Sequence, residues 1–300
     1  MENKLAGTGV ALVTPFKENL EIDYNGLAHL LKYVSQGGAE YLVVSGTTGE
    51  SATLSAEEKD AVLAFVKKNN TAGLPLVYGL GGNNTREILQ QINHTDWQGI
   101  EAILSVSPYY NKPSQTGIYE HYKAIADACP VPVMLYNVPA RTSSNITAAT
   151  TLKLARHPNI IGTKEASGDM IQCMDIARNK PDDFLLISGD DLLALPMISF
   201  GAVGVISVLA NAFPVPFTQM IRNALAGDFY EARQGLFSFL RINPLMYEEG
   251  NPVGLKQALQ NLGICANHVR LPLALASESL RARIHTTLSE EKVLAMALPQ

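Results

Sequence analysis

Eight short apolar runs mark the first two-thirds of the chain: GVALVTPF at 9–16, YLVVSG at 41–46, PLVYGLG at 75–81, AILSVSP at 102–108, PVMLYNVP at 132–139, NIIGTKEAS at 159–167, FLLISGD at 184–190 and GVISVLAN at 204–211. Each is nearly continuous in apolar residues instead of alternating, as strands covered on both faces of a parallel sheet are. Between the runs the apolar positions recur with helical period. Leu27, Leu30, Leu31 and Val34 fall at i, i+3, i+4 and i+7 and predict a helix after the first strand. Ser55 with Glu58 forms a capping box, Ala61, Val62, Phe65 and Val66 make an apolar stripe, and Lys67-Lys68 suit the negative end of the helix dipole. Thr147 is placed to cap a further helix before Leu152.

Strands that start 20 to 34 residues apart and alternate with helices predict an α/β protein, a (β/α)₈ TIM barrel. A doubly wound open sheet competes, but it would usually carry a glycine-rich nucleotide fingerprint after strand one, where this chain reads TPFKEN. From about Ala224 the strand pattern stops, and 228–242, 252–262 and 272–285 read as helices. The expected organisation is a barrel over 1–224 carrying the site, with a helical extension over 225–300 packed on it. No linker-like stretch separates the two.

Composition narrows the function. Of 300 residues, 47% are hydrophobic and 17% charged, which excludes disorder as a description of the whole. The net charge of −5 argues against nucleic acid as a partner. No apolar run approaches the roughly 18 residues a membrane span needs, and the amino terminus lacks a signal-peptide pattern, so a cytoplasmic protein is expected. Cys129, Cys173 and Cys265 are widely spaced and read as reduced thiols. The six histidines are scattered without paired-ligand spacing, so neither a metal nor a cofactor is expected.

In a barrel the active site forms at the C-terminal ends of the strands. The polar residues there are Gly46-Thr47-Thr48-Gly49-Glu50, Tyr109-Tyr110-Asn111, Tyr136-Asn137 with Arg141 beyond, Lys164-Glu165, and Gly189-Asp190-Asp191. Lys164 is the most unusual, because it interrupts an apolar strand and lysine is seldom buried without a reason. Burial disfavours an ammonium, and the free amine it leaves can attack a ketone to form an imine. The alternative is a structural lysine paired with Glu165 or Asp190. Glu165 is an awkward partner, because adjacent strand residues point to opposite faces. The GTTGES turn offers hydroxyls and backbone N–H groups suited to the carboxylate of a small 2-oxo acid, or serves only as a tight connection. Tyr136 and Tyr110 could transfer protons with Thr47 between them, or pack as rim residues. Arg141 could hold a carboxylate, or lie idle on the surface.

GTTGES, SPYYNKPSQ, YNVPART, IIGTKEASGD, SGDD and GVISV occur in this order. Together they resemble the dihydrodipicolinate synthase family, within the N-acetylneuraminate lyase superfamily of lysine-dependent class I aldolases. The resemblance spans the barrel. It implies a lyase that condenses pyruvate with L-aspartate-4-semialdehyde on the way to diaminopimelate and lysine. By motif, Lys164 forms the imine, Tyr136 moves protons with Thr47 and Tyr110, and Tyr110 reaches a neighbouring subunit's site. Thr48 joins Thr47 in holding pyruvate's carboxylate, with the backbone of Ile206 lining the same pocket and Gly189 nearby, and Arg141 receives the semialdehyde's carboxylate. The implied assembly is a homotetramer, a dimer of dimers.

Sialic acid and 2-keto-3-deoxy sugar acid lyases share the lysine and the tyrosine but usually lack the arginine. YNVPART therefore favours a charged four-carbon aldehyde. A non-catalytic homologue that only binds 2-oxo acids would be expected to lack a relay residue, and none is missing. Many bacterial members bind lysine as an inhibitor at positions matching Ser51, Ala52, Asn83, Glu87 and Tyr109. Ala56 and Lys59 stand where inhibited members often have histidines, and a cation at 59 opposes a cationic ligand. Weak or absent lysine inhibition is the expectation. Asn251-Pro252-Val253-Gly254 departs from the family's usual second proline, with only a local change expected.

Overall fold

A computed structural model describes residues 4–291. Eight parallel strands close into one barrel in sequence order: β1 Gly7–Ala11, β2 Tyr41–Val44, β3 Leu76–Gly79, β4 Ala102–Val106, β5 Val133–Asn137, β6 Ile160–Glu165, β7 Leu185–Ser188 and β8 Gly204–Ser207. All eight predicted strands are present. The first is shorter at its far end than the apolar run suggested, because Leu12, Val13 and Phe16 are buried in the connection that leaves β1. Their hydrophobicity reports burial, and Pro15 cannot donate to a ladder.

The barrel helices are α1 Tyr24–Gln36, α2 Ala56–Asn69, α3 Thr85–His94, α4 Gln115–Ala128, α5 Pro139–Thr142, α6 Ala148–Leu154, α7 Met170–Asn179, α8 Ala194–Ser199 and α9 Pro214–Leu225. Six of the nine, all but α5, α8 and α9, start at a side-chain cap. Asp23 accepts from Asn25 and Gly26 N–H, Ser55 and Glu58 form the full capping box, and Thr147 accepts from Thr150 N–H. Leu27, Leu30, Leu31 and Val34 are buried on the inner face of α1. One apolar cluster fills the space between sheet and helices, and a second, including Tyr41, Val77, Met134, Leu185 and Ile187, fills the barrel interior.

The extension forms α10 Phe229–Phe239, α11 Ile242–Tyr247, α12 Val253–Asn261 and α13 Glu278–Glu290. The single helix expected over 228–242 is instead α10 followed by a break before α11. The last helix starts six residues later than expected, at the point where Ser277 caps it by accepting from Leu280 N–H. Gly254 has a packing reason: a Cβ there would lie 2.0 Å from the Leu245 carbonyl oxygen, so α12 approaches α11 closely only with glycine. No described helix is long and apolar enough to cross a membrane.

Candidate active site

The C-terminal ends of the strands and the extension enclose a cavity of about 340 Å³. Lys164 lines it from β6 and is 5% exposed. A register shift between Val133 and Met134 sets Tyr136 opposite Lys164 across β5 and β6. The lysine nitrogen lies 4.3 Å from the centroid of the Tyr136 ring. Gly189 leaves room for the lysine stem: a Cβ there would meet Lys164 Cε at 3.0 Å and Ala166 Cβ at 2.6 Å.

Glu165 points away from Lys164, as strand alternation requires. Its carboxylate accepts from Asn137 Nδ2 at 3.0 Å on each oxygen, from Ser167 N–H at 2.9 Å and from Gln172 Nε2 at 3.3 Å. Burial raises its pKa, opposed by these hydrogen bonds. Asn137 and Glu165 therefore tie β5 to β6 on the outer face while Tyr136 and Lys164 meet on the inner one. Among the ion pairs of the described residues none includes Lys164. The structural pairing with Glu165 or Asp190 is thus not made.

Tyr136 also lines a second, smaller cavity of about 60 Å³ with Thr47, Ser51 and Lys59. Thr47 and Thr48 sit in a tight turn closed by Gly49 N–H to the Gly46 carbonyl (3.1 Å) and Glu50 N–H to the Thr47 carbonyl (3.0 Å). Thr48 faces the larger cavity and its hydroxyl accepts from Asn251 Nδ2 at 3.0 Å. Arg141, on the one-turn helix α5, is exposed at the rim of the same cavity. A lysine side chain without a carboxylate partner, a phenol, a hydroxyl turn and a guanidinium around one pocket suit imine chemistry on a substrate with carboxylates.

The remaining expected residues are placed as follows. The Ile206 side chain packs in the barrel interior with Ile187 and Tyr136, and Val208, two residues on, lines the cavity. Tyr110 is 88% exposed, has a left-handed φ of 70°, and lines neither cavity within its own chain. Of the five regulatory positions, Ser51 and Glu87 line cavities of the single chain. Glu87 shares a cavity of about 250 Å³ with Ala56 and Lys59, Ser51 joins Lys59 in the smaller one, and Ala52 is exposed. Asn83 and Tyr109 exchange two hydrogen bonds, at 2.6 and 2.8 Å.

Sequence reasoning missed the wall supplied by the extension, where Asn243, Tyr247 and Asn251 line the cavity. Tyr247 donates to Asp191 Oδ2 at 3.3 Å, and that oxygen also accepts from Val208 and Leu209 N–H. Burial raises the Asp191 pKa to about 6, against the pull of these donors. Burial and the Asp191 carboxylate raise the Tyr247 phenol well above its ordinary value. Asn243 and Tyr247, in a helical stretch, read as surface positions, and Asn251 stands in the Asn251-Pro252-Val253-Gly254 segment, whose sequence suggests only a local change.

The sequence profile of the dihydrodipicolinate synthetase family matches residues 4–291. The chain belongs to this family. Within the dihydrodipicolinate synthetase family it is 53% identical over 278 residues to the 4-hydroxy-tetrahydrodipicolinate synthase of Cytophaga hutchinsonii, covering 93% of this chain and 94% of that one. The crystal structure of the family member from Aquifex aeolicus, a dihydrodipicolinate synthase, superposes with a TM-score of 0.92 at 38% identity, covering 96% and 99%. A third, the chloride-inhibited dihydrodipicolinate synthase from Acinetobacter baumannii complexed with pyruvate, gives 0.93 at 35% identity, covering 96% and 99%.

Proposed function

We infer that this chain catalyses the lysine-dependent condensation of pyruvate with L-aspartate-4-semialdehyde, a step toward diaminopimelate and lysine. The observation that carries the reading is Lys164: a lysine 5% exposed, at a cavity, against a tyrosine ring, with no carboxylate partner among the described residues. Lys164 Nζ attacks pyruvate C2, and loss of water gives the iminium. The iminium takes up the electron pair as a C3 proton leaves, forming the enamine. C3 then bonds to the aldehyde carbon, whose oxygen gains a proton. The substrate's own amine attacks C2, closes the ring, and releases Lys164 as the amine.

Tyr136 exchanges these protons, with Thr47 and a neighbouring subunit's Tyr110 completing the relay. Thr47 and Thr48 hold pyruvate's carboxylate, and Gly189 and the backbone of Ile206 shape the pocket around it. Arg141 takes the carboxylate of the aldehyde by a paired contact. The exposure of Tyr110 supports its use across an interface, and the exposed Ile171 and Met174 on α7 support a second contact, hence a homotetramer. Three free cysteines fit a reducing cytoplasm.

Paired assays test the reading. Pyruvate consumption that depends on aspartate semialdehyde is expected, with no pyruvate release from sialic acid or 2-keto-3-deoxygluconate. Release without condensation would reverse it. L-Lysine inhibits weakly or not at all, because Lys59 brings a cation to the cavity that holds Glu87. Strong inhibition at sub-millimolar lysine would refute that.

A further inference from the structure

Lys164 is not the most deeply buried lysine. Lys256, on α12 of the extension, is 0% exposed, and its nitrogen lies 2.6 Å from Glu50 Oε1, itself in a side chain only 2% exposed. The same nitrogen donates to the His268 carbonyl at 2.7 Å and sits 4.1 Å above the Phe16 ring. Glu50 closes the turn that presents Thr47 and Thr48, and it holds a left-handed φ of 53°. Its second oxygen accepts from Arg270 N–H at 3.0 Å. Arg270 in turn grips Glu58 at 2.6 and 2.7 Å, the Thr53 carbonyl at 3.0 Å and the Leu20 carbonyl at 2.8 Å. The extension thus grips the turn through Glu50 at one end and, through Asn251, Thr48 within it.

A buried ion pair stabilises a fold little compared with well-packed apolar side chains of the same volume, because both charges lose their hydration. Its use here lies in geometry. The fixed lengths of the Lys256 and Glu50 side chains set how far the turn stands from α12, and apolar replacements would leave that distance to packing. We propose that Lys256 is a positioning residue for pyruvate: its ion pair with Glu50 holds the Thr47-Thr48 turn at the height where it meets the substrate's carboxylate. The inference rests on the reading that this turn binds pyruvate.

The test compares Lys256→Met with the double variant Glu50→Gln/Lys256→Met, using melting temperature, KM for each substrate, and borohydride trapping of pyruvate. Lys256→Met strands a buried carboxylate and melts well below the parent protein. The double variant recovers most of that melting temperature. Its KM for pyruvate nevertheless stays raised about tenfold, the weight of one charge-assisted hydrogen bond to the carboxylate. Its KM for the semialdehyde and its trapping at saturating pyruvate stay within about twofold of the parent. A folded double variant with the parent's pyruvate KM overturns the proposal, as does an equal loss for both substrates. If neither Lys256 variant folds, Glu50→Asp decides by the same KM, since it keeps the charge and shortens the arm by one methylene. Failure of the parent protein to trap pyruvate at Lys164 would instead count against the functional reading.

Discussion

Gly189→Ala puts the geometry around Lys164 under direct strain. The added methyl would lie 2.6 Å from Ala166 Cβ, 3.0 Å from Lys164 Cε and 3.1 Å from Lys164 Cγ. Carbon atoms rest at about 3.5–4.0 Å, so the deficit is roughly 1 Å against Ala166 and about 0.5 Å against the lysine stem. Ala166 is fixed by the chain just beyond β6, where its N–H bonds the Asn137 carbonyl at 2.8 Å, so the flexible lysine yields. An imine-forming amine must come within about 3–3.5 Å of the keto carbon, and a 1 Å misplacement costs about 100-fold. The expected result is a 10- to 100-fold fall in kcat/KM for pyruvate, a parallel fall in borohydride trapping rate, and about 1–3 kcal/mol of lost stability from overpacking. Steady-state kinetics, trapping followed by intact mass, and urea unfolding measure the three. Activity within about twofold of the parent, with an unchanged trapping rate, would refute the reasoning.

Tyr136→Phe removes the proposed proton carrier but keeps the ring against Lys164, so kcat falls about 100-fold or more while pyruvate is still trapped; equal loss of trapping would argue for a packing role. Arg141→Ala raises KM for the semialdehyde about 10- to 100-fold and leaves KM for pyruvate near the parent value, read from two-substrate kinetics. Equal effects on both substrates would contradict the assignment. Glu58, held by Arg270, has its pKa lowered to about 2. A carboxylate depressed in the folded state contributes stability above its unfolded pKa of about 4.3 and loses it as pH falls toward 2. Glu58→Gln therefore removes about 1 kcal/mol at pH 7, allowing for solvent screening, and flattens the loss of stability between about pH 5 and 2. Parallel unfolding curves over that range would count against it.

The barrel was legible because its strands are buried on both faces and its helices carry their own caps, as Ser55 and Thr147 show. Both signals are local. The lysine of β6 stood out for the same reason, as a charge inside an apolar run. Lys256 is buried more deeply yet did not stand out, because in the helix VGLKQALQN it reads as one polar position among several. Its partner Glu50 is more than two hundred residues away in sequence, and no local pattern joins them. The same holds for Asn243, Tyr247 and Asn251, which reach the cavity only once the extension folds over the barrel mouth. Tyr110 marks the opposite case: the family motif names it, while its place within one chain is on the surface.

The most direct measurement is borohydride reduction of the protein with pyruvate, followed by intact mass and peptide mapping. A single adduct of reduced pyruvate on the peptide bearing Lys164, absent in Lys164→Ala, is the predicted result. An unchanged mass, or an adduct carried by Lys256 or another lysine, would contradict the chemistry assigned to this pocket.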